Sequence, residues 1–339
     1  MRRRHAQYFE ELAEVAAPEL RGPQLERHLG VLVLEHDNLR AALGWAIAGD
    51  EGDVGLRLCR SLWRFWQLHG DLTTGRRWAD QALAIPSAAG RTAVRAKALI
   101  AAGSLAYWQH DASAVRAMYG EALAIFQELE DREGVAEGTY NVAFVAALEE
   151  NHVEAVRLFR ASRAMFEELG DRRGVADSLF GLSNAARFLG DLASARASSE
   201  EALRLHRELG DFFGIHGDLY MLGRAAAEMG DLDTARQQFL QTLALAEAIG
   251  YPTGIALSFD QLADQAIKGG RADRAMRLAG AADAIKEFVG GEAPPELLGL
   301  PDPHERARQL LTEDEIHAAV EEGRAMTREE ALAFAREET

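Results

Sequence analysis

Apolar side chains recur at three- and four-residue steps from Val135 to Leu148, and again from Val153 to Leu169. That spacing predicts two amphipathic helices. The turn between them, EENH at 149–152, returns as LGDL at 189–192 and MGDL at 229–232. The opposite turn also repeats, as QELEDREGVA at 127–136, EELGDRRGVA at 167–176 and RELGDFFGIH at 207–216. In such turns glycine takes the left-handed conformation that ends one helix, and the Asp after it caps the next. Three columns hold this 40-residue register. They are Gly134, Gly174, Gly214 and Gly254; Gly70, Gly190, Gly230 and Gly270, with His110 and Glu150 in the intervening slots; and the slim series Gly75, Val115, Ala155, Ala195, Ala235 and Ala275. A fixed period of this length predicts stacked supersecondary units rather than a single layered core.

The ends of the chain fall outside the register. RHAQYFEELAEVAAPELRGPQ and EHDNLRAALGWAI predict two or three capping helices over 1–52, leading into a degenerate first hairpin near 53–85. The repeats run over 53–290. From Gly290, GGEAPPELLGLPDPHERAR has the proline and glycine content of a loop. Helices are expected at Pro303–Leu311 and Glu313–Glu322, and a last one from Thr327, where TREE forms a capping box. The 291–339 segment is thus a loop followed by C-terminal capping helices.

Composition narrows the chemistry. A formal net charge of −17 disfavours direct contact with nucleic acid or an anionic membrane, both of which need clustered Lys and Arg. MRRR at the start lacks the apolar run of a signal peptide, and no window is long and apolar enough to span a bilayer. Cys59 is the only cysteine, so neither an internal disulfide nor a cysteine metal site is expected, and a cytoplasmic location fits. Cys59 itself lies in an apolar helix and reads as core. His36-Asp37-Asn38 are neighbours on a helix and point around it rather than at one substrate. His304-Glu305 lacks a second ligand-spaced histidine, and neither a phosphate-binding loop nor a nucleophile elbow is present. No cofactor, metal or catalytic residue is therefore expected. Of the aromatic group Trp45, Trp63, Phe65, Trp66 and Trp78, Trp66 in particular is expected to pack in the core.

The columns resemble the tetratricopeptide repeat, in a 40-residue rather than a 34-residue version. With units numbered from Ala96, Ala136, Ala176, His216 and Ala256, the seventh place holds Val142, Leu182, Leu222 and Leu262. The eighth holds Gly103, Ala143, Ser183, Gly223 and Ala263, and the twenty-fourth keeps Phe159 and Phe239. The resemblance implies an all-α fold, a right-handed superhelical solenoid of helical hairpins with helical caps at both ends. It also implies that the first helix of each hairpin lines a concave groove. That groove would present Tyr107, Trp108, Tyr140, Phe144, Asp177, Phe180, Asn184, Arg187, Tyr220, Arg224, Asp260 and Asp264, with Lys97, Ile100, Ser104 and Glu137 among them. Aromatic walls carrying a few polar groups suit a peptide, a small molecule or a partner protein. Arg187 and Arg224 are suited to paired hydrogen bonds to a carboxylate.

The flanking phrases RHAQYFEELAE, EHDNLRAALGWAI, RLAGAADAIKE and EEGRAMTREEALAFA are similar to the helical sensor region of large bacterial signal-transduction ATPases of the AfsR and MalT-like groups. This similarity implies a sensor for a transcriptional regulator, here without the ATPase and DNA-binding modules. A free-standing enzyme or scaffold of a small-molecule pathway is the alternative, with Asp177, Arg187, Arg224 and Asp260 as its polar groove residues.

Overall fold

The computed structural model describes residues 2–291, 299 and 302–337, and among these the regular structure is entirely helical. Three helices come first: α1 (Arg2–Glu19), α2 (Leu25–Leu34) and α3 (His36–Ala48). Six hairpins follow. They are α4 (Gly52–His69) with α5 (Leu72–Leu83), α6 (Ala93–Tyr107) with α7 (Ala112–Glu128), and α8 (Arg132–Leu148) with α9 (His152–Leu169). The rest are α10 (Arg172–Phe188) with α11 (Leu192–Leu209), α12 (Phe212–Glu228) with α13 (Leu232–Ala248), and α14 (Pro252–Lys268) with α15 (Ala272–Val289). After them come α16 (Pro303–Ala307), α17 (Glu313–Ala325) and α18 (Arg328–Arg336). Each helix packs on the next, so the chain is a tetratricopeptide-like α-solenoid. Most of the 290–301 stretch expected to be a loop lies outside the described residues. Thr312 and Thr327 both close capping boxes, with Glu315 and Glu330.

The register is kept by a backbone device that repeats at half the sequence period. Left-handed φ values fall at 50 and 70, and then at every twentieth residue from 110 to 290. The slot at 90 is skipped because α5 stops at Leu83 and a short 3-10 turn, Pro86–Ala88, carries the chain across. Behind the left-handed residue stands an Asp or Asn whose side chain accepts the first amides of the next helix, as at Asp111, Asp131, Asn151, Asp171, Asp191, Asp211 and Asp231. Glu130 (φ +54°) and Glu150 (φ +58°) hold this conformation with a side chain attached, at a steric cost of about 1 kcal/mol each. Glu130→Gly and Glu150→Gly should therefore stabilise the protein by about 0.5–1 kcal/mol apiece, measured as a rise in the urea midpoint at constant slope.

The glycine column at 134, 174 and 214 has a different cause. The ring eight residues earlier lies flat on each glycine: a Cβ would sit 2.1 Å from Phe126, 2.3 Å from Phe166 and 2.4 Å from His206. Each hairpin exit is thereby locked to the hairpin that follows. The Gly75 slot works alike, with Trp66 covering it, and Trp66 is buried in the core as expected.

The array does not stay open. The first helices α4, α6, α8, α10, α12 and α14 each touch the next, and α14 returns to α4. The seam is made by Gln67 Nε2 donating to the Tyr251 hydroxyl (3.4 Å), by Phe288 and Val289 against Gly70, and by Gly291 against Leu72 and the Trp108 carbonyl. An inner ring of first helices is thus wrapped by an outer ring of second helices. The N-terminal helices also do more than cap the first hairpin, because the turn after α1 crosses to the far side of the ring. There the Phe212 amide donates to the Arg21 carbonyl at 2.9 Å, and Pro23 meets Gly210.

Candidate functional site

The inner ring lines a half-open chamber of about 640 Å³. Its wall is built from three columns of the repeat. Lys97, Glu137, Asp177, Gly217 and Leu257 form one, Ile100, Tyr140, Phe180 and Tyr220 the second, and Ser104, Phe144 and Asn184 the third. Tyr107 and Trp108 close one side. The aromatic rings brace each other edge to face: Phe144 meets Tyr107 at 6.0 Å, Tyr140 at 5.2 Å and Phe159 at 5.0 Å between centroids. Burial pushes the Tyr107 and Tyr140 phenols well above their ordinary range, so both are neutral hydrogen-bonding groups at any physiological pH. Neither hydroxyl has a hydrogen-bond partner among the described residues.

Four of the groove residues expected from the repeat have partners within the chain. Arg187 and Arg224 do not await a ligand's carboxylate. Both bind Glu228 Oε1, at 2.7 and 2.9 Å, and Arg224 also donates to the Gly299 carbonyl at 3.4 Å. Glu228 lies one helical turn beyond Arg224, which is why an internal carboxylate reaches that pair first. Asp260 is held by Lys286 (3.1 Å), and Asp264 by Lys268 and by Arg306 of α16, both at 2.6 Å. At this end of the ring the returning C-terminal segment covers what an open groove would expose. Asp177, Arg187, Arg224 and Asp260 are therefore not gathered into one polar cluster.

Asp177 belongs instead to a charge network that sequence periodicity only partly reveals. Arg21 clamps it with two hydrogen bonds, Nη1 to Oδ2 at 3.0 Å and Nη2 to Oδ1 at 2.7 Å, while its Nε lies 2.8 Å from Asp211 Oδ2. Arg173 reaches the same Asp211 oxygen at 3.3 Å. On the other side His206 Nδ1 binds Asp218 Oδ2 at 2.6 Å and its Nε2 faces Asp177 Oδ1 at 3.4 Å. Burial disfavours the imidazolium, yet the two carboxylates hold the His206 pKa up to about 9. Burial would also raise the Asp177 carboxyl, but Arg21 and His206 keep it well below the usual carboxylate range. A signal for His206 was present in the sequence, since it stands where the column reads Phe126 and Phe166. Arg21 had none, lying outside the repeat in a Gly-Pro turn.

A second arginine reaches the chamber from α4. Arg64 is stacked between Trp63, 3.9 Å from its guanidinium, and Phe213, 4.0 Å away, and donates from Nη1 to Gln67 Oε1 at 2.6 Å. It has no ion-pair partner among the described residues. Trp63 thus faces the chamber while Phe65 and Trp66 fill the core beneath. Cys59 is buried in that core, with Sγ 3.6 Å from the Trp78 carbonyl, and burial pushes its thiol far up. Among the described residues no group of His, Cys, Asp and Glu is placed to hold a metal, and no helix is long and apolar enough to cross a membrane.

A tetratricopeptide-repeat family model matches residues 134–208. No curated protein matches the chain. Among solved structures, a Rap protein complexed with competence and sporulation factor shares the fold at a TM-score of 0.64 and 14% identity, over 87% of this chain and 81% of that one. A signal transduction ATPase with numerous domains and a tetratricopeptide repeat sensor, from Pyrococcus horikoshii, aligns at 0.47 with 15% identity, over 88% of this chain and 45% of that one. BtubC (BKLC) from P. vanneervenii aligns at 0.46 with 18% identity, over 67% of this chain and 92% of that one.

Proposed function

We propose that this chain is a non-enzymatic binding module that takes a short peptide, or a small molecule of similar bulk, into the chamber of its inner ring and serves as a sensor in signalling. One observation carries the reading. The ring lines a half-open space of about 640 Å³ that is walled by aromatic rings and into which polar groups project without internal partners. Such a space is of ligand size, and its aromatic body with a few placed polar atoms is the usual composition of a recognition site. A Rap protein of the same fold was solved in complex with competence and sporulation factor, which supports a binding role for this fold. The flanks, similar to those of regulator sensor regions, support a role in transcriptional control.

A ligand acts here through differential affinity for two states of the ring, closed and loosened at the α4–α14 seam. The test is a thermal-shift screen of short-peptide and metabolite pools against the full chain. A bound species should raise the melting temperature with a logarithmic dependence on its concentration. Tyr140→Ala and Phe180→Ala, both on the chamber wall, should each cut the affinity at least tenfold, about 1.4 kcal/mol. A species whose shift is the same in wild type and in both variants binds elsewhere, and that result overturns the chamber reading.

A further inference from the structure

The cations around the chamber are not alike. Arg21 and Arg173 are neutralised by Asp177 and Asp211. His206 faces Asp177 and Asp218. Burial raises the Glu137 carboxyl, and the charge of nearby Lys97 counters that only in part; Lys97 makes no ion pair among the described residues. Arg64 shares that lack of an ion pair and differs in being held by rings. Its nearest polar partner is the neutral Gln67 amide, which uses one of its five N–H donors. The guanidinium carbon lies over the Trp63 ring at 3.9 Å and over the Phe213 ring at 4.0 Å, and its other N–H donors have no protein acceptor among the described residues.

We infer that Arg64 is the anchor for a carboxylate of the chamber's ligand, seated edge-on against the guanidinium between Trp63 and Phe213. The inference rests on the chamber being the binding site and adds the ligand's chemistry: a peptide or organic acid that is anionic at one end and apolar along its body. A guanidinium held flat between two rings has already lost its rotamer freedom, so a planar two-oxygen acceptor gains paired hydrogen bonds without ordering the side chain first. Its charge is also short of stabilisation from the protein's own groups. Burial, with Arg21 nearby, lowers the Arg64 pKa to about 9, and an arriving anion meets a cation with no ion pair to surrender. Trp63 and Arg64 come from α4 and Phe213 from the start of α12, so the anchored group sits beside the seam, where the two ends of the array meet.

The experiment uses three pools of pentapeptides rich in apolar and aromatic residues, offered together to the full chain, with retained species counted by mass spectrometry. One pool lacks Asp and Glu and has a free C-terminus. The second is the same but amidated. The third is amidated and contains Asp or Glu. Wild type should retain the first or the third at least tenfold over the second, and which of the two prevails tells whether the carboxylate is terminal or on a side chain. Arg64→Gln should erase that preference while still retaining amidated peptides, and Arg64→Lys should restore only part of it. Equal retention of all three pools by wild type overturns the anchor and leaves the chamber reading standing, because Arg64 would then serve only to join α4 to α12. Retention of none overturns a peptide as the anchored ligand, and the chamber reading then stands or falls on the metabolite pools of the thermal-shift screen. The wild-type comparison alone decides the matter if Arg64→Gln fails to fold.

Discussion

Gly323→Ala should destabilise the protein by about 3 kcal/mol, while Gly120→Ala, the same change in another helix, should stabilise it by about 0.5–1 kcal/mol. The opposite signs follow from what each new methyl would meet. Gly120 lies inside α7 with nothing within 4 Å of the added carbon, so only the backbone entropy of glycine is removed. Gly323 lies where α17 crosses α15, and its Cβ would stand 2.0 Å from the Arg277 carbonyl oxygen. Gly280 is the reciprocal contact on α15, with its Cβ 2.1 Å from the Val320 carbonyl oxygen. Backbone meets backbone there, so no side chain can swing aside, and the two helices must separate. Separation withdraws Ile316, Ala319, Ala331, Leu332 and Ala335 from the core they share with the last hairpin. Chemical denaturation of the pair of variants measures the signs. Limited proteolysis of Gly323→Ala should cut first between α15 and α17, and equal stability of the two variants would mean that the crossing is not tight.

Arg21→Ala should cost about 3 kcal/mol, the scale expected when one member of a buried ion pair is removed. Asp211 is 0% exposed, so that carboxylate cannot turn to water once Arg21 is gone, whereas Asp177 is partly open to solvent. Arg173 remains beside Asp211 and His206 beside Asp177, which keeps the loss from being larger. Arg21→Lys should recover less than half, because one ammonium cannot reproduce the fork that binds both Asp177 oxygens while its third nitrogen faces Asp211. Hydrogen exchange gives a local readout: the Phe212 amide, which donates to the Arg21 carbonyl, should lose protection well before the amides of α10. Unchanged protection there would mean that the α1–α2 turn is held by its backbone alone.

The parts of this molecule that repeat were legible in its sequence. Column spacing located the hairpins, and the wall residues Tyr107, Trp108, Tyr140, Phe144, Asp177, Phe180, Asn184 and Tyr220 do line the chamber. The same numbering did not reveal that Arg187, Arg224, Asp260 and Asp264 have partners within the chain, because a repeat template describes a unit between two like neighbours, while Gly299 meets Arg224 and Arg306 meets Asp264 from beyond the last hairpin. Arg21 and Arg64 were invisible for a related reason. Their partners lie 156 residues away for Arg21–Asp177, and across the α4–α12 contact for Arg64–Phe213, so no local spacing records either meeting. His206 falls between these cases, a histidine in a phenylalanine column, where a break in the pattern marked a residue with another task.

The return of α14 to α4 has a consequence for how such a chain can change over time. An open array tolerates duplication or loss of a unit, because each unit needs only its neighbours. Here an extra 40-residue insert would carry Tyr251 past Gln67, and a missing one would leave Phe288 and Val289 short of Gly70. Unit number is thereby fixed by circumference, and variation in this molecule is channelled into single side chains on the inner columns rather than into the length of the array.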